Sequence, residues 1–303
     1  MELNLEKILS ETMSIVFKAG EKVKEAFESR EIINSSIEIK DSNPADLVTA
    51  VDKNVEKFLY TSLKDLFPSF LFIGEETVSS SESKKVNLTD NPTWVIDPVD
   101  GTTNFVHGFP FVCICVGLVV KKEPILGIIY NPILNEMYWG IKGKGAFMND
   151  KTLPLIKNIP LKSLKKSLIV TEFQYLGQDK VDYKIGDVKN IFSLPAHGIR
   201  SLGSCALNIL QVARGGADFF AHIGMHIWDI AAAMVILRET GGIIVGFKRP
   251  KDIDDKVLIA DEPFDICGRK ALCIRGLNEG KEYQSKLLGE IREQLKDYVI
   301  ESD

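Results

Sequence analysis

A run of strand-forming residues that ends in two acids limits this chain more than any other feature. Trp94, Val95 and Ile96 belong in a covered sheet position. They lead directly into Asp97-Pro98-Val99-Asp100-Gly101-Thr102-Thr103-Asn104-Phe105. Pro98 fixes its own φ and keeps Asp97 extended, and Asp100-Gly101 then turns the chain. The strand is therefore expected to be buried yet to present two carboxylates at its end, with the Val99 carbonyl between them. An Asp-Gly after a strand is by itself an ordinary turn. Two acids on a buried strand with no Lys or Arg beside them in sequence carry uncompensated charge, and a cation is the simplest remedy. Two carboxylates and a carbonyl make a hard oxygen set of the kind Mg²⁺ prefers. The hydroxyls and N–H groups of Thr102 and Thr103 stand where an anion would meet that cation.

Around this segment the chain alternates helices and strands. Apolar residues recur at helical spacing over residues 4–28 and again over 46–66, where Pro68 stops the pattern. Residues 31–39 alternate as a short strand, 40–44 read as a loop, and 70–73 form a strand that leads into Gly74-Glu75-Glu76-Thr77. The polar stretch 79–92 reads as a mobile surface loop. Residues 111–120, 124–131 and 136–141 form a meander of buried strands. Strands are expected at 167–172, 197–201, 217–221, 243–246 and 271–274. Helices are expected at 179–190, 206–214, 228–240 and 280–295, with Gly241-Gly242 capping the third of these. The mix is α/β, with helices layered against sheets. Turn signals cluster at 145–160, the expected meeting point of two lobes in a single domain spanning 1–303.

Composition narrows the class. The net charge of −5 leaves no basic footprint for nucleic acid. The start of the chain is charged and has no apolar targeting core. The apolar run 111–120 is too short for a transmembrane helix. The five cysteines, Cys113, Cys115, Cys205, Cys267 and Cys273, form no C-x-x-C pair and are expected to be reduced thiols in a cytoplasmic protein.

Other acids are placed to complete a site. Glu75 or Glu76 follows a strand, as Asp97 does, and strands ending at one sheet edge would bring one of the pair near Asp97. Asp229, in Trp228-Asp229-Ile230-Ala231, is either the N-cap of its helix or a buried acid facing a cation. Thr49 and Asp52 lie three positions apart on the second helix, as a surface pair or as a pair that orients and deprotonates a water. Gly203-Ser204-Cys205 opens a helix with small residues whose N–H groups suit an anion or a hydroxyl. His197, His222 and His226 read as structural, since no Cys/His cluster supports a soft-metal site.

Together these segments resemble the inositol monophosphatase family of Mg²⁺-dependent, lithium-sensitive phosphatases. The resemblance covers nearly the whole chain. It is carried by Gly74-Glu75-Glu76, by residues 94–110 (WVIDPVDGTTNFVHGFP) and by residues 228–242 (WDIAAAMVILRETGG). It implies a layered αβαβα sandwich, a homodimer and two or three Mg²⁺ ions per subunit. Glu75, Asp97 and the Val99 carbonyl would hold one ion, Asp97, Asp100 and Asp229 a second, and Glu75 a weaker third. Thr102 would bind phosphate and place the attacking water, with Thr49 and Asp52 as its supporting pair. Glu75, Val99, Asp100, Gly101, Thr102 and Asp229 would line the substrate, and Gly203, Ser204 and Cys205 would meet its ring hydroxyls. The implied reaction is hydrolysis of myo-inositol monophosphates by in-line attack of water with two metals.

Two departures bear on substrate. His222 stands where many family members carry a glutamate that accepts hydrogen bonds from inositol, and a neutral imidazole offers one acceptor rather than a carboxylate's two oxygens. The spacing from Lys40 to Pro44 is one residue longer than the family's. A sister phosphatase acting on another small sugar, nucleotide or histidinol phosphate is the alternative within the same chemistry. A non-catalytic Mg²⁺- or phosphate-binding regulator is the alternative outside it.

Overall fold

A computed structural model describes residues 3–29, 38–39, 47–83, 85–157, 160–172, 181, 185–186, 189–190, 193, 196–254 and 256–295. Most of the strand expected over 31–39, the loop at 40–44 with Lys40, and most of the helix expected at 179–190 lie outside the described residues.

The first layer is a helix pair, α1 (Leu5–Glu28) and α2 (Ala50–Leu66). Asn4 caps α1 by accepting the Lys7 N–H at 3.0 Å. Its apolar stripe, with Ile8, Ile15, Val16, Ala19 and Val23 buried, faces the sheet beneath. A Cβ at Gly20 would come within 2.3 Å of the Tyr130 ring, so the absent side chain sets how closely α1 approaches. The second helix begins at Ala50 rather than at 46. Residues 47 and 48 form a two-residue strand, β2 (Leu47–Val48), antiparallel to β1 (Glu38–Ile39).

The second layer is a seven-stranded sheet in simple order. It comprises β3 (Leu71–Gly74), β4 (Thr93–Asp100), β5 (Cys113–Val120), β6 (Glu123–Asn131), β7 (Glu136–Ile141), β8 (Gly145–Met148) and β9 (Lys151–Thr152). β3 and β4 are parallel, and the remaining pairs are antiparallel. Residues 145–152, expected as turns, supply its last two short strands. Between β3 and β4, the short helix α3 (Glu75–Ser79) opens a connection that leaves Val86 and Leu88 packed on the core. These contacts differ from the mobile surface loop expected at 79–92.

A second sheet has the order β11 (Gly198–Arg200), β10 (Leu168–Thr171), β12 (Phe219–Ile223), β14 (Lys270–Ile274), β13 (Ile243–Val245). Between the two sheets lie α5 (Cys205–Ala213) and α6 (Ile227–Glu239); the six-residue α4 (Thr102–His107) follows β4. α6 crosses the seven-stranded sheet over a row of glycines, Gly117, Gly127 and Gly140, paired in register on β5, β6 and β7. Cβ atoms at Gly117 and Gly127 would strike Ala231 and Ala232, the latter at 2.2 Å from the Ala232 carbonyl oxygen. The Ala-rich helix and the glycine row thus seat α6 directly on the strands, which places its N-terminus beside the end of β4. On the far side of the second sheet, α7 (Lys281–Arg292) buries Leu287, Leu288 and Ile291 with Phe219 and Ile274. The result is the expected αβαβα sandwich. No helix among the described residues is long and apolar enough to cross a membrane.

Candidate metal and phosphate site

Strand register brings the acids together. In the parallel pair, Gly74 stands level with Ile96, so Glu75 starts α3 one step beyond that pair as Asp97 continues β4, and the charge of Glu75 acts on Asp97. In the antiparallel pair, Asp97 faces Cys115 and Asp100 faces Cys113, with a shift between them. Three steps on β4 thus match two on β5. Residues three apart on a regular strand point to opposite faces, and one bulged residue returns Asp97 and Asp100 to the same face. The bulge explains why β4 runs on to Asp100 instead of stopping at Asp97. Asp97, 2% exposed, ties it down by accepting the Val99 N–H at 2.9 Å. Gly101 follows with φ of 92°, a left-handed turn natural to glycine, and α4 starts at Thr102.

Asp100 sits at the N-terminus of α5. It accepts from the Ser204 hydroxyl at 2.6 Å, the Ala206 N–H at 2.7 Å and the Cys205 N–H at 3.2 Å. A carboxylate is favoured there by the unpaired amides and the dipole of the helix. The small-residue opening at 203–205, read in the sequence as a receiver for substrate, therefore gives these donors to Asp100. Glu172 holds the preceding loop: it accepts the N–H groups of Leu202 (3.1 Å) and Gly203 (2.9 Å), the Ser201 hydroxyl (3.0 Å) and the Asn208 amide. Asn104 clamps the same loop to α4's neighbourhood, donating to the carbonyls of Leu202 (2.7 Å) and Phe111 (2.9 Å). Sequence reasoning missed both residues. The available signals were an acid immediately after the strand at 168–171, as Glu75 follows β3, and an amide inside the 94–105 motif.

Thr49 is the N-cap of α2, not a residue of its helical face, and Asp52 is N3. The Asp52 carboxylate accepts both the N–H (3.0 Å) and the hydroxyl of Thr49. Its second oxygen lies 3.3 Å from the Thr102 hydroxyl, which is also 3.0 Å from the Val99 carbonyl. That hydroxyl has one proton to share between the two acceptors. Asp229 is likewise N3 of its helix rather than the N-cap, and accepts the N–H of His226 at 2.7 Å. Between the two candidates at 75 and 76, Glu75 is the one whose charge acts on Asp97, Asp100 and Asp229. The Glu76 N–H donates to Glu56, and its charge acts on Asp52 and Glu56.

His222 is in β12, 4% exposed, with its ring 5.9 Å from Phe220. His226 caps α6 and stacks on Trp228 at 4.4 Å. His197 is exposed, and its N–H donates to the Ser167 carbonyl.

Several acids share one neighbourhood, and their charges act on one another. Burial, and then the charges of Glu75, Asp100 and Asp229, push the Asp97 carboxyl well above the usual carboxylate range. Burial raises Asp100 to about 6 against the lowering effect of its Ser204, Ala206 and Cys205 donors. Burial raises Asp52 to about 7, opposed by Thr49 and reinforced by Glu75 and Glu76. Asp229 keeps part of its surface exposed, yet its carboxylate is desolvated and is raised further by Asp100, with Arg269 pulling the other way. Acids that resist ionising together are what a divalent cation relieves. The oxygen donors of Glu75, Asp97, Val99, Asp100 and Asp229 are chemically suited to a hard ion. Behind Asp100, however, stand two thiols: the Cys113 sulfur is 3.8 Å from Asp100 Oδ2 and 3.8 Å from the Cys115 sulfur.

The chain is similar to known proteins along most of its length. Residues 4–294 match the model of the inositol monophosphatase family. The chain is 43% identical to bovine inositol monophosphatase 1 over 264 residues, 86% of each chain. It is 41% identical to inositol monophosphatase 3 of Solanum lycopersicum, over 80% of this chain and 86% of that one. Among solved structures, the inositol monophosphatase of Anabaena superposes with a TM-score of 0.74 at 26% identity, covering 97% of this chain and 98% of that one. The extragenic suppressor protein suhB of Bartonella henselae gives 0.75 at 25% identity, covering 95% and 98%. A bulged strand that sets Asp100 on a helix N-terminus, in a chain whose residues 4–294 match the family model, leaves one conclusion: this protein belongs to the inositol monophosphatase family.

Proposed function

We propose that the chain is a Mg²⁺-dependent phosphomonoesterase that hydrolyses myo-inositol monophosphates to myo-inositol and phosphate. The observation that carries this reading is the bulge at 97–100, which gathers Asp97 and Asp100 on one face, within the electrostatic reach of Glu75 and Asp229. Glu75, Asp97 and the Val99 carbonyl would hold one ion, Asp97, Asp100 and Asp229 a second, and Glu75 would contribute to a weaker third. Bound there, Mg²⁺ supplies charge stabilisation for the phosphoryl group and lowers the pKa of water. Thr102, Gly101 and the start of α4 would receive the phosphate. Asp52, with an affinity for protons near neutrality, would take the proton of the attacking water through the Thr102 hydroxyl, and Thr49 holds Asp52 in place. Phosphoryl transfer asks little covalent work of a protein, so positioning and charge dominate. Attack is in line and no phosphoenzyme forms; a covalent phosphoprotein trapped by rapid quench with labelled substrate would refute this.

Ser204, Gly203 and Cys205 would lie near the substrate ring while orienting Asp100. His222, buried in β12, favours a second reading on substrate: a sister phosphatase for another small sugar, nucleotide or histidinol phosphate. Phosphate release across a substrate panel with Mg²⁺ present decides between the two. Inositol monophosphates turned over fastest support the first reading, with His222→Glu raising that preference. Another substrate far ahead of them supports the second, and no turnover at all leaves a binding protein.

The same proposal includes inhibition by Li⁺ through the weakest ion site, a homodimer and a cytoplasmic location, the last favoured by five free cysteines. It also takes 1–303 as one domain whose lobes meet near 145–160. Support comes from the change of sheet between Thr152 and Leu168 and from a core cluster with residues of both sheets.

A further inference from the structure

The register that aligns the acids also aligns two cysteines. Cys113 and Cys115 are two apart on β5, so they share a face, opposite Asp100 and Asp97 respectively. Their sulfurs are 3.8 Å apart, the Cys113 sulfur is 3.8 Å from Asp100 Oδ2 and 3.9 Å from the Ser204 hydroxyl, and one ligand atom from each of Asp100, Cys113 and Cys115 falls within 4.8 Å of the others. Two thiolates about 2.3 Å from a tetrahedral zinc ion stand about 3.8 Å apart, the separation already present. A disulfide fits less well, since residues two apart on an extended strand have Cα atoms about 6.7 Å apart, at the upper edge of what the bond spans. Cys113 and Cys115 are fully covered, at 0% and 1% exposure, whereas Asp100 keeps 8%. The way in therefore runs past Asp100.

We propose that Asp100, Cys113 and Cys115 form a site for a soft divalent cation of the Zn²⁺ and Cd²⁺ type, and that its occupancy inhibits the enzyme by drawing Asp100 away from Mg²⁺. Mg²⁺ has little affinity for sulfur, so the thiols leave the hard-ion site undisturbed until a soft ion arrives. On binding, each thiol gives its proton to solvent as its sulfur joins the metal, and nothing is oxidised or reduced. Ser204 or a water completes the tetrahedron. The inhibition rests on the reading of Asp100 as a Mg²⁺ ligand; the binding does not.

The test titrates Cd²⁺ into the full-length Mg²⁺-loaded protein while following the ultraviolet thiolate-to-cadmium charge-transfer band and phosphate release in parallel. The wild type is expected to show the band saturating at one ion per chain, with activity falling in step and recovering as Mg²⁺ is raised. Cys115→Ala, and Cys115→Ser as a closer match in size, should keep their turnover, lose the band and need at least about tenfold more Cd²⁺ for inhibition. Cys273→Ala, which removes a buried thiol of β14, should behave as wild type. No band in the wild type, or a band unchanged in the Cys115 variants, overturns the site. A band without inhibition overturns the competition for Asp100. If no substrate is turned over, the absorbance titration still decides the binding, so a failure of the phosphatase reading stays distinct from a failure of the site.

Discussion

Asp52 and Asp229 hold the same local position, N3 of a helix whose N-cap backbone N–H each accepts. Beyond that they diverge. Asp52 is 1% exposed, and its oxygens meet the donors of Thr49 and Thr102. Asp229 keeps part of its surface open, accepts the His226 N–H, and feels the charges of Asp100 and Glu75. One capping box has been enclosed by hydroxyls, with Glu75 and Glu76 acting on it; the other has Asp100 and Glu75 as its acidic neighbours, and we propose proton handling for the first and a cation for the second. The local rule makes the helix start in both cases; the neighbours decide the chemistry.

The largest effect should come from removing the charge at the open box. Asp229→Asn keeps the shape and a hydrogen-bond acceptor, and is expected to lower kcat/KM by more than about 100-fold, beyond the usual effect of disturbing a group behind the ligands. Mg²⁺ titration should show a lost ion. Wild-type turnover at saturating Mg²⁺ would break the contrast with Asp52.

At the enclosed box, Asp52→Asn should reduce kcat by roughly 10- to 100-fold with Mg²⁺ affinity nearly unchanged. Thr49→Ala should follow it in direction and reduce stability by about 1 kcal/mol through the lost cap. Steady-state kinetics at several Mg²⁺ concentrations, with urea unfolding alongside, separate the two roles. If Asp52→Asn weakens Mg²⁺ binding as much as Asp229→Asn does, the boxes do not differ in kind.

A pH series sharpens the same point. The Asp52 carboxyl has its ordinary value of 3.8 in the unfolded chain and about 7 in the fold. Between these values the folded form holds the extra proton. Its contribution to stability is fully present below the unfolded value and is lost as pH rises through the folded one. Asp97, Asp100 and Asp229 shift the same way. In chelator, Tm should therefore fall as pH rises from about 4 toward 7. Added Mg²⁺ should remove most of that slope, because it stabilises the ionised ligand acids. Identical profiles with and without Mg²⁺ would show that these acids are not its ligands.

The smallest effect concerns the loop that presents Ser204 to Asp100. Glu172→Gln keeps one acceptor for the Leu202 and Gly203 N–H groups and should raise KM a few-fold with kcat nearly kept. Glu172→Ala should lose more of both and cost about 1–3 kcal/mol of stability. Equal kinetics for the two variants would mean that the carboxylate does not position the loop.

Much of this was legible in the chain. Long apolar runs at 111–141 announced the central strands, and the paired carboxylates around Pro98 announced that two acids share a buried strand end. Short elements escaped, because two-residue strands such as Lys151–Thr152 carry no periodicity and exist only through their partners. The bulge escaped for the same reason: the extra residue at 97–100 is defined only by its pairing with β5. Thr49 was read as part of a helix face because it lies within the periodic apolar pattern; the structure makes it the cap.

By itself the sequence determined the longer elements, the supply of acids and the family, because periodicity, turn residues and the spacing in 94–105 are local properties of the chain. Tertiary structure alone decided which way those acids face. Parallel register set Glu75 where its charge acts on Asp97, the bulge returned Asp100 to the same side, and the glycine row beneath α6 seated Asp229 near them. Charges interact through space, over a few ångströms, so which of them meet is settled only when separate strands and helices pack.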